Sequence, residues 1–220
     1  MLGTPVPAQF NYYSVHILAM QIHVLGGFLG SGKTTLLMRI ANTYIRAGKK
    51  VAVLVNEMGD IGVDGATLMS EGYNTTELPD GCVCCSLSAE LQVAIRNIRR
   101  DIQPEIMLIE PTGLAIPTKI VEGIDMVPQL FPDFGDYEVD VIGVVDPVRF
   151  RIFVSKKGKF MAEQIEGSSI VMMNKIDIAP AEEVQFTEDW IRERMPDIVI
   201  KKVSALSGDG VEEALKEVCI

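Results

Sequence analysis

Apolar positions in this chain fall into two patterns that alternate from one end to the other. Short continuous runs at 21–25, 50–55, 104–109, 139–145 and 170–173 have the length and density of strands buried on both faces. Ile198, Val199, Ile200, Lys202 and Val203 make a last strand. Between the runs, apolar residues return at helical spacing. Leu36, Leu37, Ile40, Ala41, Tyr44 and Ile45 do so up to Gly48, then Leu87, Leu91, Ala94, Ile95 and Ile98, and finally Val211, Ala214, Leu215 and Val218. Strands alternating with helices predict an α/β fold: a mostly parallel sheet, helices on both faces, right-handed crossovers. Residues 124–138, rich in Pro, Gly and acids, read as a surface loop.

The first strand runs into Gly27-Phe28-Leu29-Gly30-Ser31-Gly32-Lys33-Thr34, which has the spacing of a phosphate-binding P-loop. Glycines there let the backbone come close to phosphate oxygens that a Cβ would exclude. The N–H groups of the turn converge on the anion, and the following helix adds the positive end of its dipole. Lys33 is predicted to reach the β- and γ-phosphates and the Thr34 hydroxyl to bind Mg²⁺, with Ser31 and Thr35 completing the phosphate-binding set. A glycine-rich turn without a ligand is the bland alternative, and the strand–loop–helix setting argues against it. The expected fold is that of a P-loop NTPase.

Other segments extend the site. Asn56-Glu57-Met58-Gly59-Asp60-Ile61-Gly62-Val63-Asp64-Gly65 follows the second strand, and ligands of open α/β sheets bind at strand carboxyl ends. That loop is expected to face the nucleotide, with Glu57 and Asp60 as candidate catalytic residues beside Lys33; a solvated acidic loop is the alternative. Glu110, ahead of Pro111-Thr112-Gly113, ends a strand beside the P-loop strand, where P-loop enzymes keep a second Mg²⁺ anchor, and the Gly113 N–H can meet the γ-phosphate. Asp146 needs no role beyond capping the next helix. Asn174-Lys175-Ile176-Asp177 has the guanine pattern: two Asp177 oxygens can accept from guanine N1–H and its exocyclic amine together, a donor pair adenine lacks. A backbone N–H around Ser204 and Ala205 is expected to meet the guanine carbonyl. The predicted nucleotide is GTP.

Cys82, Cys84 and Cys85 crowd into four residues, whereas Cys219 is next to last. Such crowding in a reducing compartment points to metal or redox chemistry rather than a disulfide framework. Ser86 is a candidate N-cap, which puts Cys84 and Cys85 at the positive end of a helix and favours the thiolate. Thiolates select Zn²⁺, Cu⁺ or similar ions over Mg²⁺, and three of them leave one tetrahedral position for Glu57 or a partner atom. His23 alternates inside a core strand and reads as packing. Cys82 and Cys85 also stand at the C-x-x-C spacing of a redox pair, less naturally with a third thiol between them.

Bulk properties narrow the setting. The chain has 220 residues, enough for one α/β domain, with 48% hydrophobic and 23% charged residues. A net charge of −10 argues against nucleic acid or an anionic membrane as partner. No apolar run reaches a bilayer-spanning length and the N-terminus lacks the features of a secretory signal, so the cytoplasm is the expected location. Residues 1–19 are set apart as an N-terminal extension ahead of a single domain over 20–220; alternation of Tyr13, Val15 and Ile17 leaves a short edge strand open.

Together these motifs, in this order, resemble the CobW-type (CobW/HypB/UreG) metallochaperone GTPases of the SIMIBI class over about residues 20 to 217. The resemblance implies Zn²⁺ or Co²⁺ at the cysteine motif, a role for Glu57 in holding it, a nucleotide-dependent homodimer, and delivery to a client metalloprotein gated by GTP hydrolysis. Met58 and Asp60 stand where the family has Phe and Glu, and the shorter acid weakens any role at position 60. The resemblance covers the G domain alone, whereas most relatives add a C-terminal domain. The client is open: a corrinoid system using cobalt or a zinc enzyme. The alternative is a metal-sensing regulatory GTPase switch.

Overall fold

The computed structural model describes residues 19–55, 74–77 and 89–218. Within them, β1 (Met20–Gly26), β2 (Val51–Val55), β3 (Asn74–Glu77), β4 (Ile106–Glu110), β5 (Tyr137–Val145), β6 (Ile170–Met173) and β7 (Val199–Lys202) form one sheet. Its order is β3-β2-β4-β1-β5-β6-β7 and every pairing is parallel, as the apolar runs predict. The helices are α1 (Lys33–Arg46), α2 (Ala89–Asp101), α3 (Pro117–Asp125), α4 (Val127–Leu130), α5 (Pro147–Glu163), α6 (Ala181–Arg192) and α7 (Val211–Leu215). β1 lies between β4 and β5, so its carboxyl end opens onto the crevice where such sheets bind ligands.

Strand alternation sorts the core into layers. Leu25, Ile142, Ile170 and Met172 face one side and pack on Leu36, Leu37 and Ile40 of α1 and Ala214 and Leu215 of α7. Ile22, Val24, Met107 and Ile109 face the other side, against Leu91, Ile95 and Ile98 of α2 and Ile120 and Ile124 of α3. Farther along that face, Val145, Val171 and Met173 meet Phe150 and Met161 of α5 and Ile191 of α6. Truncating a fully buried residue such as Leu37 to Ala would cost about 2–5 kcal/mol. Among the α1 positions predicted apolar, only Ile45 turns outward, at 37% exposure.

One polar group sits inside the first layer. His23 is 2% exposed, its Nδ1 lies 2.5 Å from Asp140 Oδ1 on the registered neighbour in β5, and its Nε2 lies 2.9 Å from the Tyr44 hydroxyl of α1. A neutral ring carrying its proton on Nδ1 satisfies both bonds, so neither ring nitrogen is left unpaired in the core. The reading of His23 as packing is borne out.

Two elements differ from the sequence reading. Residues 124–138 are not one surface loop: α3 ends at Asp125, α4 fills Val127–Leu130, β5 starts at Tyr137, and Val127 and Phe134 are buried. Pro128, which suggested a loop, stands in the first turn of α4, where its missing N–H is harmless. β3 was not anticipated. Its sequence, Asn-Thr-Thr-Glu, carries no apolar run, and backbone pairing with β2 from Ala52↔Asn74 to Val55↔Glu77 makes it a strand.

Candidate nucleotide site

The site forms where β1 stops. Gly27 turns at φ 142° and Gly32 at φ 92°, backbone that a side chain rarely adopts. A Cβ at Gly27 would enter the Val144 carbonyl, and one at Gly32 would strike the Asn174 amide, so neighbouring elements press on the loop from outside. α1 then begins at Lys33. Gly32 caps it with no side chain, and no acid stands in its first turn, so its leading N–H groups and dipole remain available to an anion.

On the β4 side, Thr34 Oγ1 donates to Glu110 Oε1 at 2.9 Å. Glu110 is 4% exposed at the end of β4 and Lys33 is 6% exposed. A hydroxyl and a buried carboxylate oxygen in contact are hard donors suited to Mg²⁺. Gly113 lies against the P-loop backbone, its missing Cβ direction meeting Leu29 N at 2.8 Å. Val55 pairs with Glu110, so the chain leaves β2 for Glu57 from a point beside this acid.

On the β5–β6 side, the guanine motif is tied into the loop. Asn174, 2% exposed, donates from Nδ2 to Ser31 O at 2.9 Å and accepts at Oδ1 from Ala205 N–H at 2.8 Å. The Ala205 N–H, offered by the sequence reading to a base carbonyl, is thus occupied by Asn174; Ser204 N–H donates to Asp209 O at 3.0 Å. Lys175 holds the left-handed φ of 62° and its Nζ donates to Gly30 O and to Asp146 Oδ2, both at 2.8 Å. Asp177 is exposed at the rim.

Arg149 and Arg39, which sequence reasoning passed over, complete the frame, together with an Asp146 that does more than the capping assigned to it. Asp146 caps α5 as expected, accepting from Val148 N–H at 3.1 Å, but its other oxygen also takes Lys175 and Arg149. Arg149 reaches Leu29 O and Gly30 O. Arg39 of α1 donates from Nε to Ala205 O at 3.0 Å and from Nη2 to Leu206 O. An acid capping a helix with a base at i+3 was a visible signal for the Asp146–Arg149 pair; Arg39 had none.

Glu57, Asp60, Cys82, Cys84, Cys85 and Cys219 lie outside the described residues. Among the described residues, no group of three or more His, Cys, Asp or Glu could hold a metal, and no helix is long and apolar enough to cross a membrane.

A parallel sheet, a glycine turn around an uncapped helix terminus and a part-buried Thr–Glu pair define a P-loop nucleotide-binding protein. Residues 21–200 match the model of the CobW/HypB/UreG nucleotide-binding domain, and the chain belongs to that family. It is 32% identical over 168 residues to the zinc chaperone YeiR of Escherichia coli, covering 76% of this chain and 50% of that protein. The solved Zn(II)-bound YjiA GTPase from E. coli aligns at TM-score 0.56 and 27% identity, over 84% of this chain and 57% of that one. The hydrogenase maturation factor HypB from Archaeoglobus fulgidus aligns at TM-score 0.64 and 16% identity, over 91% and 88%, a likeness of fold. The chain spans about half the length of the curated relatives it matches.

Proposed function

We propose that this domain binds and hydrolyses GTP and uses the cycle to load and release a transition metal, zinc or cobalt, for a client metalloprotein or corrinoid system. The observation that carries the reading is that Thr34 bonds Glu110 on one side of the P-loop while Asn174 and Lys175 bond the loop on the other, in a chain that also bears Cys82, Cys84 and Cys85. The zinc chaperone and Zn(II)-bound GTPase among its relatives support the metal half.

In this reading Lys33 neutralises the β- and γ-phosphates, with Gly27, Gly30, Ser31, Gly32, Thr35 and Gly113 around them. Thr34 and Glu110 would hold Mg²⁺, which supplies further charge neutralisation. Asp177 accepts from the guanine edge. Glu57 and Asp60 act in hydrolysis, and Glu57 joins the cysteines on the transition metal. The chain from 56 to 85 follows Val55, which pairs with Glu110, and runs in sequence to the thiols, so the γ-phosphate and the metal would act on one segment. Membership of the CobW/HypB/UreG family supports a nucleotide-dependent homodimer as part of this reading.

If one arrangement serves both ligands, each raises the affinity for the other by the same factor, commonly about 5- to 150-fold. Zn²⁺ and Co²⁺ affinities are therefore expected to be higher with a non-hydrolysable GTP analogue than with GDP, and the difference is expected to shrink in Glu57→Ala. Equal affinities in both nucleotide states would leave a GTPase with a static metal and no delivery cycle.

A further inference from the structure

Arg149 lies in the first turn of α5, outside every motif of the nucleotide site, yet its bonds end on the P-loop. Its Nε donates to Asp146 Oδ2 at 2.9 Å, and its Nη2 donates to Gly30 O at 2.6 Å and Leu29 O at 3.2 Å. The guanidinium also lies 5.4 Å from the Phe153 ring centroid. Its side chain is 40% exposed, whereas the Asp146 side chain that anchors it is 5% exposed. Gly30 turns at φ 71°, and a Cβ there would come within 2.6 Å of Arg149 Nη2, so the arginine occupies the space left by the missing side chain.

Peptide geometry gives this contact a consequence. In a trans peptide the C=O and the next N–H point to opposite sides, and the described backbone contains no cis bond. Holding the Leu29 carbonyl from outside turns the Gly30 N–H the other way; Arg149 shares the Gly30 carbonyl with Lys175, and the Ser31 N–H beyond it closes a turn onto Phe28 O at 3.2 Å. Asn174 Nδ2 acts alike on Ser31 O and hence on Gly32 N–H. Three successive carbonyls are therefore drawn outward by protein donors. An anion nest needs that arrangement, because one flipped plane would aim a carbonyl oxygen at a phosphate. A glycine-rich turn has the freedom to flip, and the charged donor restrains it.

We propose that Arg149 is a positioning residue of the phosphate cradle: anchored by Asp146, it fixes the Leu29 peptide plane, and with Lys175 that of Gly30, so that the Gly30 N–H faces the phosphates of the guanine nucleotide and the two carbonyls do not. The inference rests on the guanine-nucleotide reading above. A lysine at this position would keep the charge but offer one point of contact in place of the planar fork.

The test compares GDP and guanosine affinities, by competition against a fluorescent GDP, for wild type, Arg149→Ala and Arg149→Lys, with melting curves to show each is folded. Arg149→Ala is expected to weaken GDP by roughly 10- to 100-fold, the range for a charge-assisted hydrogen bond, with guanosine unchanged and Arg149→Lys only partly recovered. Equal losses for GDP and guanosine, or full recovery by lysine, would overturn the inference, since the first is a general structural effect and the second is charge alone. A wild type that binds no guanine nucleotide overturns the nucleotide reading as well. A wild type that binds GDP while Arg149→Ala binds it equally well overturns the role of Arg149 alone.

Discussion

Two aspartates of the same stretch, Asp140 within β5 and Asp146 just past its end, carry different duties because of what surrounds them. Asp140 meets His23 on the neighbouring strand, and His23 meets Tyr44 on α1, so that network joins β5, β1 and the P-loop helix through the core. Asp146 meets Lys175 and Arg149, and both cations continue to Gly30 O on the phosphate loop. The first network ends on core elements and sets how strands and helix fit together. The second ends on P-loop backbone, and joins the Asn174–Asp177 motif to that loop. A carboxylate's role here follows from its depth along the strand, since functional chemistry gathers at the carboxyl ends of the sheet.

Breaking each network should separate the two roles. Asp146→Ala removes a buried partner from two cations and uncaps α5, and is expected to cost about 3 kcal/mol, the low end for a broken buried pair because both cations keep some solvent. GDP affinity of the folded protein should fall with it. Asp140→Ala leaves His23 Nδ1 without its partner in the core and is expected to cost about 1–3 kcal/mol. At this chain length that is a melting temperature lower by about 2–4 °C for each kcal/mol, with GDP affinity of the folded protein retained. Chemical denaturation beside GDP titration measures both; a matching loss of GDP affinity in Asp140→Ala would erase the distinction.

Tyr44→Phe sharpens the comparison at lower amplitude. It leaves the His23–Asp140 bond in place and removes one hydroxyl, so a loss of about 1 kcal/mol is expected in the same denaturation assay. The smallest effect belongs to the surface. Lys202 and Arg192 hold the Glu188 carboxyl below the usual glutamate range, the Lys202 hydrogen bond foremost and partial burial opposing. A pKa lower in the folded state means the stabilisation is present above the unfolded value and is lost as pH falls through the folded one. Glu188→Gln should therefore cost less than about 1 kcal/mol near neutral pH and nothing in strong acid, as melting curves across the acid range would show.

Much of the molecule was legible before any coordinates. β1, β2, β4 and β6 and the second half of β5 are buried on both faces and consist of near-continuous apolar runs, so their existence follows from composition over a few residues. The P-loop was legible for a related reason: phosphate chemistry demands glycines, lysine and threonine at fixed spacing along one local segment. Asn174 and Lys175 directly follow β6 and Glu110 is the last residue of β4, so their places at strand carboxyl ends were legible from the apolar runs. β3 escaped because a polar edge strand has no apolar period, and α4 because its proline reads as a breaker without its position in the turn.

The sequence by itself determined the parallel α/β fold, the phosphate loop, the guanine motif and the family, all encoded in runs and spacings within one stretch of chain. Tertiary structure alone decided which carbonyl each donor reaches. Asn174 lies 143 residues from Ser31, Lys175 lies 145 from Gly30, and Arg149 lies 119 from Gly30. No local pattern records such pairings, because they exist only when the β1–β5–β6 order brings three strand ends together and closes long loops at once. Sequence could name Asp146 as a cap; only the folded sheet shows that its second oxygen holds two cations against the loop.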